Sequence, residues 1–147
     1  MKSYFIISII VFISVLFRCS GTRPQNIGVM GGMLSSCPES PNCVSSQAGD
    51  SKHYIEPIRF AGDKSAAMQK LKSVILAMKR TRIISEKDDY LYAEFTSAIF
   101  RFVDDVEFYI DGKAGLIHMR SASRLGYGDM GVNRKRMEKI KISFSEP

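Results

Sequence analysis

Residues 100–136 read FRFVDDVEFYIDGKAGLIHMRSASRLGYGDMGVNRKR, and the fold is decided there. Phe102, Asp104, Val106, Phe108 and Ile110 fall on one side of an alternating run, with Val103, Asp105, Glu107 and Tyr109 on the other, the pattern of a half-buried strand. Asp111-Gly112-Lys113-Ala114-Gly115 has the composition of a hairpin connection. The strand that returns, Leu116 to Arg124, sets Ile117 and Met119 against His118, Arg120 and Arg124. Making the two apolar faces coincide pairs Ile110 with Ile117. It also sets Glu107 opposite Arg120 and leaves Asp105 near Ala122, diagonal to both arginines. A slip of one residue would bury the charges on the apolar side, so the register is strongly specified.

Beyond this hairpin, Arg124 to Asn133 sets three glycines around Tyr127, Asp129 and Asn133, a composition that allows backbone N–H groups to converge on an anion or a carbonyl oxygen. Asn133 is expected to cap a last helix with Met137, Ile140 and Phe144 inside and Arg134, Lys135, Arg136, Lys139 and Lys141 outside. Cations at a helix start oppose its dipole, so a bound anion or an acidic neighbour (Asp104, Asp105 or Asp129) is expected beside them.

Working back toward the N-terminus, Tyr90–Ser97 alternates Leu91, Ala93 and Phe95 with Tyr92, Glu94 and Thr96, and Thr81–Glu86 reads as a short strand before the polar turn Lys87-Asp88-Asp89. Asp63 is a good cap for an amphipathic helix in which Ala67, Leu71, Val74, Ile75 and Met78 recur at helical spacing, with lysines on its outer side. Tyr54–Phe60 is a marginal strand that Pro57 confines to an edge. The expected class is α+β: an antiparallel sheet of about four to five strands with two helices packed on one face.

At 147 residues there is room for one domain plus a leader. Lys2 followed by the apolar run Phe5–Phe17 has the form of a signal-peptide core and is short for a membrane span. The sequence Leu16-Phe17-Arg18-Cys19 next to Ser20 and Gly21 resembles a lipoprotein processing site, with Cys19 as the lipidated residue. Arg18 stands where that pattern has a small residue, and a retained apolar anchor is the alternative. The expected division is a leader over 1–19, a flexible tether over 20–36 and a single globular domain over 37–147. Either anchor implies an exported domain in the cell envelope, membrane-anchored or periplasmic. Export permits disulfides, and Cys37 and Cys43 in CPESPNC, with Pro38 and Pro41 stiffening the loop, are expected to pair. A zinc or redox role is the weaker reading, because neither the ligand set nor the spacing fits one.

The net charge of +6 favours anionic partners, but no nucleic-acid motif accompanies it and Trp is absent. The quoted stretch, together with CPESPNCVSS at 37–46 and Tyr90-Leu91-Tyr92-Ala93-Glu94-Phe95, resembles the domain of unknown function 1499 family, found in bacterial exported or membrane-associated proteins and in plastids. The resemblance covers most of the chain after the leader. It implies an exported or envelope-linked single domain and no established activity.

The chemistry is weighed on the same residues. Ser121 and Ser123 lack a histidine in triad context, so serine catalysis is a poor reading. A hard-metal site from Glu94, Asp104, Asp105, Glu107 and Asp129 is chemically reasonable, but adjacent Asp104 and Asp105 point to opposite faces of a regular strand. The preferred reading is a non-catalytic site, with no cofactor, for an anionic or polar ligand. It is formed by Asp105, Glu107, Arg120, Ser121, Arg124, Tyr127, Asp129, Asn133, Arg134 and Arg136, with the carboxylates holding guanidinium planes in place. The partner is then a small ligand or an envelope protein, and the membrane is reached through the N-terminal leader or lipid. The alternatives are an enzyme using the same cluster, with or without a metal, and a structural envelope protein in which every charged pair is internal.

Overall fold

The computed structural model describes residues 20–146; the expected leader, with Arg18 and Cys19, lies outside the described residues. The chain is α+β. Elements follow in the order β1 (Val29–Met30), β2 (Met33–Leu34), β3 (Cys43–Ser45), β4 (Ile58–Arg59), α1 (Lys64–Ala77), β5 (Thr81–Glu86), β6 (Tyr90–Thr96), β7 (Val103–Asp111), β8 (Leu116–Ser123) and α2 (Val132–Ser145). The main sheet is antiparallel and six-stranded, in the order β3-β8-β7-β6-β5, with β4 also paired to β8; β1 and β2 form a separate hairpin. β4, two residues long, lies within the expected marginal strand Tyr54–Phe60; the strand beyond the expectation is β3, whose three residues carry too little alternation to be seen.

The register of the central hairpin is the one that alternation requires: Ile110 faces Ile117, Glu107 faces Arg120 and Asp105 faces Ala122. The turn is held by Asp111 Oδ1, which accepts from the backbone N–H groups of Lys113 and Ala114. Gly115 completes it at φ 64°, where a Cβ would also meet the Phe60 carbonyl at 3.0 Å. One face of the sheet is the core. Leu91, Ala93, Phe95, Val106, Phe108, Ile110, Ile117 and Met119 pack with Leu71 and Ile75 of α1 and Met137, Ile140 and Phe144 of α2. Each fully buried large side chain of this kind is worth about 1.5–3 kcal/mol.

α1 starts as expected, with Asp63 accepting from Ala66 N–H at 3.0 Å. α2 does not. Its N-cap is Gly131 in the left-handed region, and Asn133 lies inside the helix with its side chain buried. The capping role falls to Asp129, whose two oxygens accept from Gly131 N–H at 3.0 Å and Asn133 N–H at 2.7 Å. A carboxylate four residues ahead of Asn133 outcompetes its amide because it is charged and meets the positive end of the helix.

The other sheet face is covered as well. The stretch 20–36, expected as a tether, lies along it: Ile27, Val29 and Leu34 pack with Tyr90, Tyr92, Ile84 and Tyr109. The Leu34 N–H donates to Gln47 Oε1, and Gln47 Nε2 donates to the Gly32 carbonyl, both at 2.8 Å. Cys37 and Cys43 form a disulfide at the entry to β3. Among the described residues, no helix is long and apolar enough to cross a membrane.

Candidate functional site

The ten residues assigned to one site from sequence separate into two clusters, because β7 and β8 send alternate side chains to opposite faces. On the face covered by residues 20–34, Glu107 and Arg120 form a buried pair: Arg120 Nη1 donates to Glu107 Oε2 at 3.0 Å. The second carboxylate oxygen, Oε1, accepts from Tyr90 Oη and from Gly28 N–H, each at 2.8 Å. Glu107 has no exposed surface and Arg120 only 6%, so the carboxylate of this pair is shut off from solvent. Arg120 Nε has no partner among the described residues.

One pair further along the same face, Arg124 bridges two carboxylates. Its Nε and Nη2 donate to Asp105 at 2.9 and 2.6 Å, and Nη2 reaches Glu94 Oε1 at 2.5 Å. Tyr92 Oη donates to Asp105 Oδ1 at 2.5 Å. Arg23 and Arg82 close on Glu94 from outside, with Nη2 contacts at 2.5 Å to Oε1 and 2.9 Å to Oε2. Burial would push the Glu94 carboxyl up, but hydrogen bonds from Arg124, Arg23 and Arg82 outweigh it and hold it low, at about 2. The Arg124 guanidinium is driven further up by its hydrogen bond to Asp105, and burial drives the hydroxyls of Tyr90 and Tyr92 up. At neutral pH the cluster is therefore fully ionised at Glu94 and Arg124 and neutral at both tyrosines.

On the helix face, Arg136 donates to Asp104 Oδ2 at 2.5 Å, to Asn133 Oδ1 at 2.7 Å and to Ser121 Oγ at 3.0 Å, and lies 4.8 Å over the Phe95 ring. The Ser121 hydroxyl donates to Asn133 Oδ1, and Asn133 Nδ2 donates to the Asn42 carbonyl and Ser123 Oγ, both at 2.9 Å. This network locks the start of α2 onto β8 and onto the loop ahead of β3. Ser121 is buried with an amide for a partner and is not a nucleophile in waiting. Arg134 donates to the carbonyls of Tyr54 and Lys52, tying down the loop ahead of β4. Tyr127 is exposed, and of the loop N–H groups on which an anion was expected to converge, those of Gly131 and Asn133 are taken by Asp129.

This geometry decides between alternatives that the sequence leaves open. Of the acidic neighbours expected beside the cations at the start of α2, Asp104 pairs with Arg136, while Asp129 accepts from the backbone N–H groups of the helix start. The five carboxylates considered for a metal do not converge: Asp104 faces the helices, Asp129 caps α2, and the Arg124 guanidinium stands between Asp105 and Glu94. Among the described residues, no group of His, Cys, Asp and Glu is placed to hold a metal ion.

Open, charged space lies beside Glu94. A cleft of about 500 Å³ is lined by Arg23, Arg80, Arg82, Arg101 and Arg124 with Glu94 as its one carboxylate, and by Ser20, Thr81, Thr96 and Val103. The side chains of Arg82 and Arg23 are 70% and 46% exposed although both touch Glu94, so their remaining N–H groups face the cleft. Arg80 and Arg101 both hold left-handed backbone at φ 58°, an uncommon conformation for arginine. Arg80 is steadied by its Nε bond to the Thr96 carbonyl, while Arg101 has no hydrogen-bond partner among the described residues. Gly21 brings the N-terminal segment against this cleft, where a Cβ would lie 2.9 Å from Arg124 Cβ. Of the arginines singled out in the sequence, Arg124 alone lines the cleft. Arg23, Arg80, Arg82 and Arg101 were missed because they come from three separate segments, the N-terminal stretch, the start of β5 and the β6–β7 loop. The one local signal was Arg82, which pairs across β5 and β6 with Glu94 once the register is known.

Residues 33–144 match the family described as "Protein of unknown function (DUF1499)". The chain belongs to this family. The matched stretch of the DUF1499 domain contains both side-chain clusters and four of the five cleft arginines; Arg23 and Gly28, which cover the polar face, precede it. No curated protein matches the sequence.

Proposed function

We propose that this DUF1499 protein is an envelope-tethered, non-catalytic binding domain that takes a small anion in the arginine cleft. One observation carries the reading: five guanidinium groups surround one carboxylate in an open cleft, while Arg120 and Arg136, away from it, are paired in place. Arginines held apart at fixed positions suit a tetrahedral or planar oxyanion, since each can offer two parallel N–H donors. Glu94 and Arg124 then act as the fixed floor. They orient Arg82 and Arg23 without being consumed by the ligand. The envelope location rests on the sequence of residues 1–19, with its apolar run and Cys19.

A purely structural role is the second reading, and the saturated Asp104–Arg136 and Glu107–Arg120 pairs favour it for those residues. It accounts for Arg82 only through its one bond to Glu94 and gives Arg101 no partner among the described residues. Calorimetric titration with inorganic phosphate at constant ionic strength separates the two. Saturable binding that is lost in Arg82→Ala/Arg101→Ala is expected, with that variant still folded by circular dichroism and its melting temperature lowered only modestly by the loss of the Arg82–Glu94 pair. Equal heats for the wild type and the variant would leave the structural reading in place.

A further inference from the structure

The loop between β6 and β7 carries Ser97-Ala98-Ile99-Phe100-Arg101-Phe102, and its apolar side chains point outward: Ile99 is 82% exposed, Phe100 66% and Phe102 41%. The loop is not loose. Ser97 N–H donates to the Phe102 carbonyl, Phe102 N–H donates to Ser97 Oγ, and the two phenylalanine rings lie 5.7 Å apart. A closed hairpin presenting a pair of aromatic rings and an isoleucine to water is costly unless something covers them. The Val103 carbonyl accepts from Arg124 N–H, so the loop leaving β8, with the exposed side chains of Leu125, Tyr127 and Met130, starts at the same end of the sheet.

Two further features meet at that end. The arginine cleft opens there, between Arg80 at the start of β5 and Arg101 in the β6–β7 loop, and a basic groove lined by Lys79, Lys135, Arg136 and Lys139 adjoins it through Arg80 and Thr96. The chain also enters there. Ser20 lines the cleft, and only two residues of the sequence separate it from the apolar run Phe5–Phe17. Apolar side chains at the tip, cations behind them and an apolar segment joining at the same edge are the ingredients of an interfacial contact with an anionic bilayer.

We propose that this end of the sheet docks on a bilayer containing anionic phospholipids, with Ile99 and Phe100 entering the acyl boundary and Arg101, Arg80 and Arg82 meeting the headgroup phosphates. The headgroup part rests on the reading of the cleft as an anion site; the apolar part does not.

The chain contains no Trp, so Phe100→Trp gives a single fluorescent reporter at an exposed position. Lys113→Trp, in the β7–β8 turn at the opposite end of the sheet, is its control. The full chain of each is reconstituted into phosphatidylcholine vesicles with and without phosphatidylglycerol, using lipids brominated in the acyl chain as quenchers. The Phe100→Trp emission is expected to shift to the blue and to be quenched several-fold more than that of Lys113→Trp, and more strongly with phosphatidylglycerol present. Equal quenching of the two reporters would overturn the proposal, as would a blue-shifted Phe100→Trp emission in detergent-free solution without vesicles, which would report burial against a second copy. Equal quenching in neutral and anionic vesicles would overturn the headgroup part. Quenching without phosphate binding in calorimetry leaves docking standing and removes the soluble-anion reading; phosphate binding without quenching does the reverse.

Discussion

Removing the carboxylate of Glu107 is the most demanding perturbation of the polar face. In Glu107→Ala the Arg120 guanidinium stays buried with its ion-pair partner gone, and Tyr90 Oη and Gly28 N–H lose their common acceptor. Breaking a buried pair from one side costs about 3–5 kcal/mol, a large part of the roughly 5–15 kcal/mol that holds a domain of this size together. Replacing both partners by apolar groups, as in Glu107→Leu/Arg120→Met, avoids the orphaned charge. It retains only the loss of the two neutral donors' acceptor, about 1–3 kcal/mol for each donor left unsatisfied. The double variant is therefore expected to be more stable than Glu107→Ala and to fall short of the sum of the single changes by about 2 kcal/mol, as contacting pairs do. Urea unfolding followed by circular dichroism measures this, provided the denaturant slope is the same for all variants. Single costs under about 1 kcal/mol that simply add would mean that water reaches the pair, and that residues 20–34 do not seal the face as the hydrogen bond from Gly28 implies.

The folded-state carboxyl of Glu94 is depressed to about 2 from 4.5, so its stabilisation is complete above pH 4.5 and fades as pH falls toward 2; about 3 kcal/mol is linked to it, less for screening at exposed Arg82 and Arg23. Glu94→Gln should flatten the acid limb of a stability-against-pH curve, and an unchanged limb would contradict the cluster's electrostatics. Reducing Cys37–Cys43, which closes a loop of sequence separation 6, should cost about 2 kcal/mol by chain entropy, read as a fall in Tm with reductant that Cys37→Ser/Cys43→Ser reproduces. Asp129→Ala removes the carboxylate that caps α2 and should cost about 1 kcal/mol in urea unfolding, whereas Asn133→Ala strips partners from Ser121, Ser123, Arg136 and the Asn42 carbonyl and should cost more.

The central hairpin was legible because two strands of alternating polarity leave one register that keeps Asp105, Glu107, Arg120 and Arg124 off the core, with Asp104 alone on the helix side, and the observed pairing of Glu107 with Arg120 is that register. Helix α1 was legible for a similar reason, since its cap and its apolar period agree. The polar face was harder. Alternation tells which side chains share a face but not whether that face is wet, and residues 20–36 contain so few apolar side chains, spaced by Gly, Ser and Pro, that they read as a tether. Ile27, Val29 and Leu34 suffice to cover it because Gly28 brings its backbone to Glu107. Asn133 was placed on the right element in the wrong role, since its cap position was open in sequence and only the fold brings Asp129 within reach. The candidate site suffered most. Asp104 and Asp105 were rightly sent to opposite faces, yet the arginines beyond them were grouped by nearness in sequence, whereas the cleft draws Arg23, Arg80, Arg82 and Arg101 from separate segments that meet at one end of the sheet.

Arginine side-chain NMR reads the central claim most directly, because each guanidinium Nε–Hε gives its own signal. Inorganic phosphate titrated into the folded protein is expected to move the signals of Arg82 and Arg101, with smaller changes at Arg23 and Arg80, while Arg120 and Arg136 stay fixed in their pairs. Shifts confined to Arg120 or Arg136, or no shift at Arg82 and Arg101 at saturating phosphate, would contradict the assignment of the cleft as the site.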